Sequence, residues 1–179
     1  MSRVANYRLW APWRIEYIQK VAHHPSSERA SGGSEDECIF CSKPALGDDA
    51  RALIPYRGER CYVILNAFPY NTGHLMVAPY EHTGDLAGLD PVIATELMGL
   101  TQRSLRALAG AYGPDGYNVG LNLGRIAGAG FADHVHMHVV PRWAGDTNFM
   151  PVIADTRIVN QSLEDGYTAL RDSFAGLED

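Results

Sequence analysis

Residues 134–140 read His-Val-His-Met-His-Val-Val, with imidazoles at alternate positions 134, 136 and 138. Imidazole can ligate a metal, move a proton or attack an electrophile. On a β-strand, side chains alternate between faces. The spacing predicts a strand over 134–140, with His134, His136 and His138 on one face. Val135, Met137 and Val139 then share the other, which reads as core. The histidine face is not ordinary core, because each ring needs hydrogen-bond partners. Two chemistries fit it: a transition-metal site, or a nucleophilic histidine attacking phosphorus. The nucleophile must be a neutral ring whose other nitrogen is held by an acceptor. It also needs donors for the phosphoryl oxygens. The segment just before, Gly124-Arg125-Ile126-Ala127-Gly128-Ala129-Gly130, is rich in glycine. Glycine lets backbone N–H groups turn inward onto an anion. A phosphate cradle using the amides of Ala129 and Gly130 is expected, with Arg125 and Arg142 able to add charge.

A second set of reactive residues is Cys38-Ile39-Phe40-Cys41. Cys-x-x-Cys can be half of a zinc site, a redox pair or two buried thiols. A redox pair belongs at a helix start in a βαβ unit, a pattern this chain does not show. Cys61 opens an apolar run and reads as core. His74 also reads as buried structure, and His23 and His24 as loop residues.

These groups need a scaffold. Residues 61–66 and 74–78 form two short apolar runs, the second closed by Pro79, around the turn Ala-Phe-Pro-Tyr-Asn-Thr-Gly. They predict an antiparallel hairpin. A helix is predicted over 91–109, with Asp90 as N-cap and Pro91 at its first position. Ile93, Leu97, Leu100, Ser104 and Leu108 make its buried stripe, and Gly110 and Gly113 end it. Residues 117–123 alternate as a strand. Leu163, Tyr167, Leu170 and Phe174 mark a helix within 161–174. Strands paired as hairpins with helices between them give an α+β fold with an antiparallel sheet. We read one domain over 1–179: an N-terminal arm and mobile loop over 1–37, a core over 38–142 and a C-terminal extension over 143–179. The arm holds Trp10 and Trp13, too aromatic for a free tail.

Composition narrows the classes. The chain has 179 residues, 15 basic against 21 acidic, for a net charge of −6. An acidic chain is a poor nucleic-acid coat. Thirteen of the 15 basic residues are Arg, which excludes a Lys-rich tail. No run of 18 apolar residues exists, so no membrane-spanning helix is expected. The start carries arginines where a signal peptide needs its apolar stretch. A soluble cytoplasmic protein is expected.

The triad strand resembles the signature of the histidine triad (HIT) family, nucleotide hydrolases and transferases with His-x-His-x-His followed by apolar residues. The resemblance runs from about Cys38 to Arg142. Arg-Leu-Trp-Ala-Pro-Trp-Arg near the start and Pro-Arg-Trp-Ala-Gly-Asp-Thr-Asn-Phe after the triad are similar to the branch related to diadenosine tetraphosphate phosphorylases. The resemblance implies a five-stranded antiparallel sheet with two main helices, paired as a homodimer. It makes His136 the nucleophile on the α-phosphorus, forming a nucleotidyl-histidine. His138 then binds or orients the phosphate, and Asn122 on the preceding strand contacts it. Asn66 bonds the ribose hydroxyls, Phe40 and Ile64 line the base pocket, and Trp143 lies near the nucleotide. It further implies structural Zn²⁺ on Cys38, Cys41, His82 and His134. Many members carry Gln, Ser or Thr late in the phosphate loop; Gly130 and Phe131 stand there here. The substrate implied is an adenosine-type nucleotide, a dinucleoside polyphosphate or another adenylylated compound. Phosphorolysis is expected first. Hydrolysis, or a nucleotide-binding regulatory protein with little turnover, is the alternative.

Overall fold

The computed structural model describes residues 38–146 and 161–177. The readings of the N-terminal arm, of the loop over 22–37, and of the extension over 147–160 lie outside the described residues. The described residues all fall within one compact unit.

The chain opens with α1 (Ile39–Ala45) and α2 (Asp49–Ala52). Then come β1 (Tyr56–Arg57), β2 (Cys61–Leu65), β3 (Leu75–Pro79), α3 (Pro91–Tyr112), β4 (Gly116–Leu121), β5 (Met137–Arg142) and α4 (Leu163–Ala175). The five strands form one sheet in the order β1-β2-β3-β5-β4, every neighbouring pair antiparallel. This is the α+β sheet the sequence predicts.

Both faces of the central strands are covered. On one face, Cys61, Val63 and Leu65 of β2, Leu75 and Val77 of β3, and Met137 and Val139 of β5 pack with α3 and α4. On the other face, Tyr62, Ile64, Met76 and Ala78 pack with Phe40, Ala52 and Ile54 from the α1–α2 segment. The histidines occupy this second face beyond β3, since Met76 pairs with His138 across the ladder. The Gly opposite His138 on β4, Gly120, has no neighbour within 4 Å of where a Cβ would stand, so the strand beside the ring is open.

The helix α3 begins as predicted: the Asp90 carboxylate accepts the Val92 N–H at 2.7 Å, and Pro91 fills the first position. It does not stop at Gly110 but runs one further turn to Tyr112. Gly113, at φ 55° in the left-handed region, ends it. α1 was not legible as a helix, because it has no side-chain cap and carries Pro44 inside it. Pro44 has no N–H to give the carbonyl of Phe40 four residues earlier. The buried Tyr62 hydroxyl supplies that bond instead, at 2.7 Å.

The triad strand also departs from expectation. Pairing starts at Met137, so His134 and His136 precede β5. The partner register would place Val135 opposite Pro79, which has no N–H to continue the ladder. The Val135 N–H bonds Thr83 O at 2.7 Å instead. β4 likewise ends at Leu121, so Asn122 stands one residue past the strand on which it was expected.

Candidate active site and metal centre

The two histidines outside the ladder keep to one face with the third. The His136 and His138 ring centroids are 4.9 Å apart, and Phe40 lies over both His134 (5.2 Å) and His136 (4.5 Å, stacked). What separates the three rings is the partner of the second nitrogen of each.

His134 places Nε2 3.0 Å from the Pro79 carbonyl. A carbonyl only accepts, so Nε2 carries the proton and Nδ1 presents its lone pair. That Nδ1 lies 3.4 Å from Cys38 Sγ, 3.6 Å from Cys41 Sγ and 3.3 Å from His82 Nδ1. Cys41 Sγ is 3.2 Å from His82 Nδ1. The four ligand atoms all fall within 4.8 Å of one another. The group can hold a metal ion. Tetrahedral Zn²⁺ bonded at its usual lengths sets S···N edges of about 3.6 Å and N···N edges of about 3.3 Å. The four edges through His134 and between Cys41 and His82 match to within a few tenths of an ångström, and two thiols with two imidazoles are a zinc-type donor set. Cys38 and Cys41 both come from the start of α1, His82 from just after β3, and His134 from just before β5.

His136 has the opposite tautomer. Its Nδ1 lies 2.8 Å from the backbone carbonyl of His134, so Nδ1 donates and Nε2 is left with a free lone pair. Burial pushes its basicity down, partly offset by that hydrogen bond, which keeps the ring neutral and nucleophilic.

His138 is set by a residue the sequence reading placed in the core. His74 is fully buried. Its Nδ1 accepts the Tyr70 N–H at 3.1 Å and faces the Asn66 side-chain amide at 3.2 Å. A backbone N–H can only donate, so the neutral ring carries its proton on Nε2. That nitrogen is 3.0 Å from His138 Nδ1 and donates to it. His138 is therefore protonated on Nε2 and can offer that N–H to an anion. Burial, with the neighbouring His136 charge second, lowers the His138 pKa to about 4. The signal available in the sequence was position: His74 closes the β2–β3 turn, so it enters the sheet beside the strand that carries the triad.

The remaining predicted residues are placed as follows. Phe40 and Ile64 are almost completely buried on the histidine face. Asn66 accepts the Phe68 N–H at 2.9 Å on Oδ1, leaving one lone pair of that oxygen. In the glycine-rich loop, a 3-10 turn over Arg125–Ala127 turns three amides onto the loop's own carbonyls. Among these is the Ala129 N–H, on Gly124 O at 3.4 Å. The Ala129 amide is thus engaged within the loop, and Gly130 follows it. Phe131 sets its ring edge-on to Phe40 at 5.8 Å. Trp143 is half-buried, with its N–H on Asp146 Oδ2 at 3.2 Å. Arg142 grips the same carboxylate at 2.6 and 2.8 Å, so its charge is spent on Asp146 rather than on the histidines.

A neutral imidazole lone pair beside an imidazole N–H donor, on one face of an antiparallel sheet, is a pair that can offer phosphorus a nucleophile and a proton donor. Comparison with known proteins agrees. The HIT domain model matches residues 49–145, and the chain belongs to the HIT family of nucleotide hydrolases and transferases. An AP-4-A phosphorylase of Mycobacterium tuberculosis is 39% identical over 168 residues, 94% of this chain and 84% of the relative. An adenosine 5′-monophosphoramidase of Schizosaccharomyces pombe is 33% identical over 59% of this chain and 74% of its own length. Among solved structures, a Zn-bound histidine triad family protein from Mycobacterium smegmatis superposes with a TM-score of 0.64 at 30% identity. It covers 79% of this chain and 96% of that one. Among the described residues no helix is long and apolar enough to cross a membrane.

Proposed function

We propose that this enzyme cleaves dinucleoside polyphosphates, diadenosine tetraphosphate first among them, with inorganic phosphate as acceptor. The observation that carries the reading is the opposed tautomers of His136 and His138. His136 Nε2 attacks the α-phosphorus; an N–P bond forms as the bond to the bridging oxygen breaks. The leaving group departs as a nucleoside triphosphate. His138 Nε2–H donates to the phosphoryl or bridging oxygen, where charge builds. Phosphate then attacks the nucleotidyl-histidine, releases the imidazole and forms a nucleoside diphosphate. Water in its place would give the monophosphate. Identity across nearly the whole chain with an AP-4-A phosphorylase supports phosphate as the acceptor.

Asn122 and the Gly130 amide contact the phosphate in this reading, the latter beside Ala129. Asn66 uses its remaining lone pair on a ribose hydroxyl, Phe40 and Ile64 floor the base pocket, and Trp143 stands near the nucleotide. Zn²⁺ is the metal of the Cys38–Cys41–His82–His134 group, where it holds three chain segments together. His136 keeps the attacking role. The working protein is a cytoplasmic homodimer.

Diadenosine tetraphosphate incubated with and without phosphate tests the reaction. ADP and ATP should form only with phosphate; products that ignore phosphate remove the phosphorylase reading. His136→Ala should abolish turnover. Unchanged turnover would remove the covalent mechanism.

A further inference from the structure

Nine large hydrophobic side chains stand exposed among the described residues, and five lie on the two loops that flank the histidines. Phe68 (87% exposed) and Tyr70 (52%) are on the β2–β3 turn; Leu123, Ile126 and Phe131 are on the loop leading to β5. Clustering of this kind marks a binding surface more often than chance exposure does.

The β2–β3 turn is firmly held. Asn66 Oδ1 accepts the Phe68 N–H, and His74 Nδ1 accepts the Tyr70 N–H. Asn71 Nδ2 donates to Asp146 Oδ2 at 2.8 Å and to Pro141 O at 3.1 Å. Gly73, at φ +75°, hands the chain into β3; a side chain there would meet the Tyr112 ring at 2.8 Å. On this fixed turn the Tyr70 ring lies 4.8 Å from His74 and stacks over His138 at 5.9 Å with an interplanar angle of 26°. Two aromatic side chains thus bracket the histidine row. Phe40 covers the His134–His136 end and Tyr70 the His138 end.

A dinucleoside polyphosphate has two bases, and the proposed base pocket at Phe40 and Ile64 accounts for one. We infer that Tyr70, with Phe68 two residues before it, forms a stacking shelf for the second nucleoside, the one that leaves with the triphosphate. This rests on the dinucleoside polyphosphate reading. Rings fixed by their backbone lose little freedom on binding, and any purine offers a face to them. The shelf recognises an aromatic base without reading its edge.

Two matched ligands test it on the full chain: diadenosine tetraphosphate, and adenosine 5′-tetraphosphate, which has the same phosphate chain and no second nucleoside. The wild type should prefer the dinucleotide in kcat/KM. Phe68→Ala and Tyr70→Leu should each reduce that preference about tenfold, from the usual strength of one base–aromatic stack. The loss should fall mainly in KM, and Tyr70→Phe should restore it. An equal loss on both ligands would mean that Tyr70 acts only by holding His138, and would overturn the shelf. So would a wild type that does not distinguish the two, or a variant that changes the oligomeric state on size exclusion, which would give the turn to a second copy of the chain. If neither compound is cleaved, the proposed reaction itself fails. Calorimetric affinities for the same two ligands then test the shelf alone, and equal affinities overturn it.

Discussion

His74 should divide its stability role from its catalytic role when replaced by the two amides. The ring makes two different bonds. Nδ1 accepts from the Tyr70 N–H, and Nε2–H donates to His138 Nδ1. Asparagine places its amide end close to the position of imidazole Nδ1, and glutamine places its end near Nε2. His74→Asn therefore keeps an acceptor for Tyr70 and loses the donor to His138. His74→Gln keeps the donor and leaves the Tyr70 N–H without its acceptor. A typical intramolecular hydrogen bond contributes about 0.5–1.5 kcal/mol, and the Tyr70 N–H is only part-buried, so His74→Gln should lower unfolding stability by about that amount. Its kcat should stay within about tenfold of wild type. His74→Asn should stay within about 1 kcal/mol in stability. His138 is then free to rotate and to change tautomer, and a small misplacement of a reacting group costs about a hundredfold in rate. Urea denaturation and phosphate-dependent turnover of diadenosine tetraphosphate, measured on both variants, decide the matter. A fully active His74→Asn beside a slow, stable His74→Gln would refute the tautomer argument.

Other consequences can be checked separately. Purified protein should carry about one zinc per chain, and chelation should lower Tm by about 10 °C, the shift that about 4 kcal/mol of binding linkage gives a domain of this size; less than half an equivalent with an unchanged Tm would sink the site. The Tyr62→Phe variant strips the hydroxyl that donates to the Phe40 carbonyl in place of the amide Pro44 lacks, and should cost about 1–3 kcal/mol. Adding Pro44→Ala, which restores a backbone donor four residues on, should recover part of it; a cycle with no coupling in urea midpoints would contradict that account. Stability should also depend on acid. His138 titrates near pH 4 when folded and near 6.5 when unfolded. The unfolded chain therefore binds the extra proton first. Stability is full above about pH 6.5, is lost as pH falls toward 4, and this contribution levels off below. Urea midpoints across that range should show the slope, and His138→Asn should reduce it, the buried His134 and His136 carrying the rest.

Much of the site was legible because alternation is a strong pattern. Three histidines at period two can only line one face of an extended segment, whereas the four metal-site residues came from the family resemblance, since no spacing joins Cys-x-x-Cys to His82 and His134. What was not legible depended on backbone partners. The triad strand starts late because Pro79, far away in sequence, cannot donate to Val135. The helix α1 is hidden by Pro44 and shown only by Tyr62, which replaces the missing bond. The two-residue strand β1 is too short to have a pattern. The turn of the Ala129 amide onto Gly124 was hidden because glycine-rich sequence does not reveal how the loop closes. His74 looked like core, which it is by burial. Its use lies in which atom each nitrogen faces, and no spacing rule encodes that.

Three nearly identical side chains in a row would otherwise compete for the same chemistry. Their division of labour comes from acceptors that cannot change role. The Pro79 and His134 carbonyls only accept, and the Tyr70 N–H only donates. Each fixes one proton, and a neutral imidazole has only one to fix. His134 must then face the thiols with a lone pair, His136 keeps a lone pair on Nε2, and His138 keeps a proton on Nε2. The protein thus sets three protonation patterns with main-chain groups and one buried ring. In the proposed reaction, this is what lets an acidic chain, whose nearby Arg142 is already paired with Asp146, offer phosphorus a nucleophile and a donor side by side.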